Sequence, residues 1–363
     1  MNKIIHRLLD LLELYFRRSP AGKLVGTGAL LMAAGSTFDV KLNFGARASE
    51  QEYLEGQLAT ADTEWWISAG CLAIGAVLIA IGLWFSWQLF QDQRRKRVIA
   101  IELRGLTQSV DTILESAIPR RVLGARHALL IDVRNQIDGT KTQRQAAIDL
   151  VNLLPQQLKL AKDGRDRNDL AVYAGGLAPV PVLFLAGTLL ASESAINWMD
   201  WDRKELRWTS PNDGIDVGEI APVDFSSVNG DEIVCAMSIS YPIDRNELTL
   251  SFPNLPIVEL KLDGAYPGRV ISETSIQNIM QQFMQVVAVM QGMGVRKIHL
   301  VLAAPSVLTM RLGSCYAPRN MPVIIVYQYQ RAQTENPYPW GIEMPNSDRF
   351  SGLLTEQNQG IKS

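Results

Sequence analysis

The run Ala303, Ala304, Pro305, Ser306 closes one apolar stretch and opens another. Taken as a strand that stops at a proline and turns into a helix, it brings small side chains to a sheet edge. The first backbone N–H groups of the helix then face whatever sits there, and a helix N-terminus favours phosphate. A second break of this kind, "LAPVP" at 177–181, stands earlier in the chain, and Pro179 and Gly187 repeat the spacing of Pro305 and Gly313. Tight strand-to-helix packing uses the same small residues, so both roles stay open at this point.

Other chemistries lack their residues. The three histidines, His6, His127 and His299, form no metal-binding pattern, and the three cysteines, Cys71, Cys235 and Cys315, lie too far apart for a zinc site or a disulfide framework. Gly26 and Gly28 make a G-x-G, but inside an apolar run; no GxSxG elbow and no P-loop occurs. No cofactor is expected. A formal net charge of -2 leaves no footprint for long nucleic acid, while a local basic pocket remains compatible with it.

The elements that must position the two breaks repeat one plan. The first unit predicts a strand at 128–135, a helix at 143–162 that tolerates Pro155, a strand at 169–176, the break, a helix at 182–191 and a strand at 195–203. The second predicts a strand at 232–244, a helix at 275–292, a strand from 297 into the second break, a helix to Gly313 and a strand at 322–331. Trp198, Trp201 and Arg203 answer to Tyr327, Tyr329 and Arg331. Strands alternating with helices predict a mostly parallel sheet, and the repetition predicts two Rossmann-like halves related by duplication. Ligands of such sheets bind outside the carboxyl ends of the strands.

Ahead of these lies a membrane signature. Residues 65–90 carry no charge, hold tryptophans at both ends and run into "RRKR" at 94–97. About 20 apolar residues span a bilayer, and a basic stop marks the cytoplasmic side. The run 24–40 is shorter and ends near Asp39, but Lys3, Arg7, Arg17, Arg18 and Lys23 precede it and an acidic loop follows. Two spans with the loop outside satisfy the positive-inside rule, placing a multi-pass protein in the inner membrane with both termini cytoplasmic. The leader sets Ile4, Leu8, Leu11, Leu12 and Phe16 on one helical stripe, which lies either in the inner interface or on the soluble domain. Small residues recur along both spans and let helices approach closely.

The layout expected is an amphipathic leader at 1–22, a two-span hairpin at 23–93, a basic anchor and stalk helix at 94–124, a first half at 125–212, a second at 213–345 and a polar tail at 346–363.

"KIHLVLAAPSVLTMRLG", "MPVIIVYQYQ", "LAVYAGGLAPVPVLFLAGTLL" and "WDRKELRW" resemble the SAVED domain over roughly 125–344. That family fuses two CARF-like, Rossmann-related halves, so the fold implied is an N-terminal transmembrane α-hairpin plus a SAVED-like α/β domain. With two spans ahead of it, the chain looks like a transmembrane SAVED effector of a bacterial CBASS anti-phage system. The resemblance implies a cyclic tri- or tetranucleotide released by a partner nucleotidyltransferase, ligand-induced homo-oligomers and disruption of the lipid bilayer. No catalysis is implied, although some CARF relatives cleave their own ligands. A membrane-anchored Rossmann-like enzyme and a tethered sensor without pore-forming activity are the alternatives.

Phosphates call for arginine and backbone N–H donors, bases for aromatic faces and polar edges. The strand ends offer Arg134, Asn135, Gly175, Gly176, Ser240, Tyr241, Ala304, Pro305 and Ser306, with Arg203, Tyr327, Tyr329 and Arg331 near the final strands. The aromatics serve either the ligand or the sheet, and residues 135–141 form either a lid or a connection.

Overall fold

The computed structural model describes residues 20–35, 39–45, 53–59, 65–106, 112–193, 195–263 and 270–357. They belong to two compact units, Met1–Arg95 and Lys96–Ser363. The leader, up to residue 19, and the end of the tail, 358–363, lie outside the described residues.

In the first unit, helices α1 (Pro20–Gly35) and α2 (Trp65–Arg95) flank an antiparallel pair, β1 (Asp39–Gly45) and β2 (Tyr53–Ala59). Within α2 the stretch Trp66–Asp92 is long and apolar enough to cross a membrane, whereas the apolar part of α1, Ala21–Ala33, is shorter. The 16 residues of α1 rise about 24 Å, less than the ~30 Å hydrocarbon core. The two helices meet through glycine: a Cβ on Gly28 would stand 2.7 Å from the Gly75 carbonyl oxygen, and one on Gly75 2.6 Å from that of Gly28. Part of the small-residue pattern thus serves contact inside one chain. Ile74, Val77, Leu83, Trp84 and Trp87 remain exposed, a surface suited to lipid.

The second unit opens with β3 (Arg97–Arg104), α3 (Leu114–Ala117), β4 (Ala125–Asp132), α4 (Arg134–Ile137), α5 (Lys141–Asn152), α6 (Leu154–Lys162), β5 (Leu170–Leu177), α7 (Val180–Leu189) and β6 (Ile196–Trp198). These strands form a parallel sheet in the order β4-β3-β5-β6, and a small hairpin follows, β7 (Asp200–Asp202) with β8 (Arg207–Thr209). Next come β9 (Glu232–Ser238), α8 (Arg245–Ser251), β10 (Ile257–Lys261), α9 (Glu273–Gly292), β11 (Lys297–Ala303), α10 (Ser306–Cys315), β12 (Val323–Gln328), β13 (Trp340–Glu343) and β14 (Leu353–Glu356). The second sheet runs β10-β9-β11-β12-β13-β14, its last two strands antiparallel. The duplicated α/β architecture is therefore present, and the first four strands of each half share one order.

Several expectations need correction. The stalk helix expected within 94–124 is instead β3, an inner strand of the first sheet. Ile99, Ile101 and Leu103 enter the main core while Val98 and Ala100 enter a smaller one on the opposite face. A strand buried on both faces is apolar throughout, so its periodicity does not separate it from a helix. The first half consequently starts near residue 97, and the strand answering to β9 is β3, not β4.

Pro155 does not pass through a continuous helix. It opens α6 and separates it from α5, because proline suits a first turn but not an interior. The strand expected at 195–203 divides between β6 and β7. Residues 346–363 are not simply a polar tail, since β14 completes the second sheet. Asn152 bridges both backbone groups of Gly352, at 3.0 and 2.8 Å, and Arg144 lies 4.8 Å over the Trp340 ring while reaching Glu356 at 3.4 Å. The C-terminal strand thereby clasps α5 of the first half.

The halves join where α7 crosses α10. A Cβ on Gly187 would fall inside the backbone of Met310, and one on Gly313 inside the backbone of Phe184. Each glycine stands late in its own helix and opposes the middle of the other, so the crossing is reciprocal. Thr188 Oγ1 donates across it to the Gly313 carbonyl at 3.2 Å. This contact is the physical reason for the repeated proline-to-glycine spacing.

Gly187→Leu should cost about 3 kcal/mol or more, because backbone cannot yield to a side chain as a neighbouring rotamer can. Gly292→Ala, with open space around its Cβ, should be neutral or stabilising by up to about 1 kcal/mol. Thermal unfolding of the two variants checks the contrast; equal melting temperatures would remove the crossing from its central place.

Candidate functional site

Strands β5 and β11 both end at a proline that caps the next helix in extended conformation, Pro179 before α7 and Pro305 before α10. A proline has no side-chain acceptor, and neither helix receives a side-chain cap from its own N-cap residue. The acceptors come from the opposite half. Gln328, at the end of β12, accepts the Val180 N–H at 3.1 Å. Asp200, at the start of β7, accepts its neighbour's Trp201 N–H at 3.1 Å and the Val307 N–H in the first turn of α10. Each half thus closes the other's helix.

Between these ends lies a cavity of about 90 Å³. The first half contributes Leu177, Asp200, Trp201 and Arg203; the second contributes Ser240, Tyr241, Ala304, Pro305 and Ser306. Tyr241 is 52% exposed and leaves its ring open to the surface. Asp200 is buried, and burial pushes its carboxyl up to about 6, against the pull of the Trp201 and Val307 N–H groups and of Arg203. The cavity therefore holds one acid and one cation, with hydroxyls and backbone around them. Its size admits a single phosphate or the edge of one base.

The structure brings Arg203, Ser240, Tyr241, Ala304, Pro305 and Ser306 together and leaves the other candidates elsewhere. Arg134 is held in a fork by Asp132, at 2.9 and 2.5 Å, and that guanidinium keeps the Asp132 carboxyl below its ordinary range. Asn135 stands beside it in α4. The turn that follows enters the Thr140–Gln143 capping box of α5, which makes 135–141 a connection. Gly175 and Gly176 are buried against Met199, Leu114 and Trp208, and against Leu103 and Leu183, so their smallness serves packing.

Tyr327 is a core residue, 3% exposed, with its hydroxyl 3.0 Å from His299 Nδ1. Tyr329 bonds Glu247 at 3.0 Å, away from the cavity, and Arg331 lies beyond the strand, outside the cavity lining. Asp200, Trp201 and Leu177 were missed from sequence. A signal existed for the first two: Asp200 and Gln328, Trp201 and Tyr329, Arg203 and Arg331 stand at one constant interval.

A family model described as "SMODS-associated and fused to various effectors sensor domain", SAVED, matches residues 153–344. The chain belongs to the SAVED family. A second model, the SAVED-fused 2TM effector domain, matches residues 1–148. The chain is thus a SAVED sensor domain fused to a two-span effector domain. The effector match extends through β3 and β4, into the first sheet of the compact unit that begins at Lys96.

No curated protein matches the chain. Among solved structures it is similar to an Acinetobacter baumannii Cap4 SAVED/CARF-domain containing receptor with the cyclic trinucleotide 2'3'3'-cAAA (13% identity, TM-score 0.47, 77% of this chain and 58% of that one). The same receptor with 3'3'3'-cAAA is similar at 12% identity and TM-score 0.47, covering 77% and 59%. A Moraxella osloensis Cap4 receptor follows at 12% and 0.42, covering 80% and 57%. The chain therefore spans less than two thirds of the length of these receptors.

Within the SAVED domain, Asp200 gives a pH signature. Its folded value, about 6, stands above the ordinary 3.8, so its contribution to stability is full below the unfolded value and is lost as pH rises through about 6. Unfolding followed from about pH 4 to about pH 7 should show that loss, on the order of 2 kcal/mol. Asp200→Asn keeps an acceptor for the Val307 N–H and should flatten this part of the profile; an unchanged slope would show that another group carries it.

Proposed function

We propose that this chain is a membrane effector of CBASS anti-phage defence: a cyclic tri- or tetranucleotide binds the edge shared by the two halves, chains assemble, and their hairpins breach the bilayer. The observation that carries this reading is the cavity to which both halves of a sensor domain contribute, in a chain that also bears a two-span effector. Arg203 and the Ser306 hydroxyl at the first turn of α10 suit a phosphate. The exposed Tyr241 ring suits a stacked base. Asp200 accepts only, so it holds a second phosphate away from α10 and favours the N–H edge of a base. The rest of the ring lies across the cavity mouth.

Assembly follows only if the ligand binds the assembled state more tightly than the single chain. Only Lys96 stands in sequence between α2 and β3, and the effector family's match includes two strands of the sensor's first sheet. Both facts support close coupling of hairpin and sensor. Ala69, Ala73, Ala76 and Ala80 are exposed on α2 and form the ridge through which hairpins of different chains meet. The proposed topology keeps both termini in the cytoplasm, where the partner nucleotidyltransferase makes the messenger.

Titrating the full chain in detergent with cyclic tri- and tetranucleotides tests the site. One ring should bind, and Ser306→Trp should weaken it at least ~100-fold, roughly the loss of a buried charge-assisted contact, without lowering the melting temperature. Unchanged affinity in that folded variant would return the second break to packing alone. In dye-filled vesicles, leakage should require the ligand, and Ala76→Leu with Ala80→Leu should suppress leakage but not binding. Sealed vesicles around an enlarged assembly would favour the tethered sensor. A reporter active only outside the membrane should give signal near Gln51 and none at the C-terminus; the reverse would take the messenger site out of the cytoplasm.

A further inference from the structure

A second cavity lies away from the shared edge. About 790 Å³ opens along the free side of β6, the last strand of the first sheet. Volumes of this order are typical of small-molecule sites. The Met199 N–H turns inward to the Ala174 carbonyl at 2.8 Å, so by alternation the Trp198 N–H turns outward toward the cavity. Tyr173 and Trp198 line it half-buried, at the two faces of the sheet edge.

Charge in the cavity is uneven. Glu193 is neutralised by Lys162 at 2.5 Å, and Glu273 is held in a fork by the buried Arg311 at 2.5 and 2.8 Å. Arg121 and Arg207 are exposed in the lining and make no hydrogen bond or ion pair among the described residues. Asp213 is the remaining acid of the lining, beside these two guanidinium groups.

We propose that this cavity is a second site, for a nucleotide: Arg121 and Arg207 take its phosphates, and Trp198 takes its base. Guanidinium forks match phosphate oxygens, and a half-buried ring offers a stacking face that any base can use. An acidic peptide added along β6 fits less well, since a three-residue strand (Ile196–Trp198) is a short template. The site stands independently of what occupies the shared edge.

The probes are ATP and inorganic tripolyphosphate, titrated calorimetrically into the full chain in detergent. ATP should bind more tightly than tripolyphosphate. Arg121→Ala with Arg207→Ala, both at exposed positions, should weaken ATP at least ~10-fold. Trp198→Ala should weaken ATP and leave tripolyphosphate unchanged, and Ser306→Trp should leave ATP binding intact. Absence of ATP binding, equal affinity for the two probes, indifference to the arginine pair, or loss with Ser306→Trp would each overturn the assignment.

Discussion

Two helices can cross at backbone contact only where neither presents a side chain, and the second unit is organised around one such crossing. Gly187 lies on the backbone of Met310, and Gly313 on that of Phe184. With α7 and α10 held this close, the proline-capped ends of β5 and β11 come within reach of the opposite half. The donors that proline leaves without a cap are then met by Asp200 and Gln328. The small cavity follows from the same approach, because residues at the strand ends of both halves line it together. Larger residues at 187 and 313 would part the halves and separate Arg203 from Ser306.

Much of this was legible in the sequence because it rests on local chemistry. The charge-free run into "RRKR", the two breaks and their common spacing are properties of short windows. β3 was not legible: Val98, Ile99, Ala100, Ile101 and Leu103 are apolar on both faces, and such a run fits helix and strand templates alike. Site residues divided along the same line. Ser240, Ala304 and Ser306 sit where a strand's end predicts, whereas Tyr327 stands as near a strand end and turns into the core beside His299. Which face a residue takes is decided by partners distant in sequence. Asp200 shows this most clearly, since its role depends on a helix that begins more than a hundred positions later.

Electrostatics separates the two ends of the domain. Arginines near the first sheet's carboxyl edge are largely committed: Arg104 to Glu102 at 2.6 Å and Arg134 to Asp132. Such pairs hold loops in place and offer little to an incoming anion. Arg203 is the guanidinium that lines the shared cavity, and Arg121 and Arg207 line the larger one. The same residue type is therefore committed to structure or left open to an incoming anion according to whether a carboxylate already occupies its fork.

The unequal caps carry a further meaning. A duplicated fold in which both helices were closed by the same residue would present a two-fold site, with identical grips on either side of an axis. Such a site matches rings built from an even number of units, because half the ring must superpose on the other half. Here a carboxylate closes one helix and a neutral amide the other, so the axis survives in the backbone and is lost in the chemistry. A ring of three units has no two-fold relation among all its parts, and a pocket without two-fold chemistry does not ask for one. A ring of the proposed kind lying across this edge would therefore not be restricted to an even number of units.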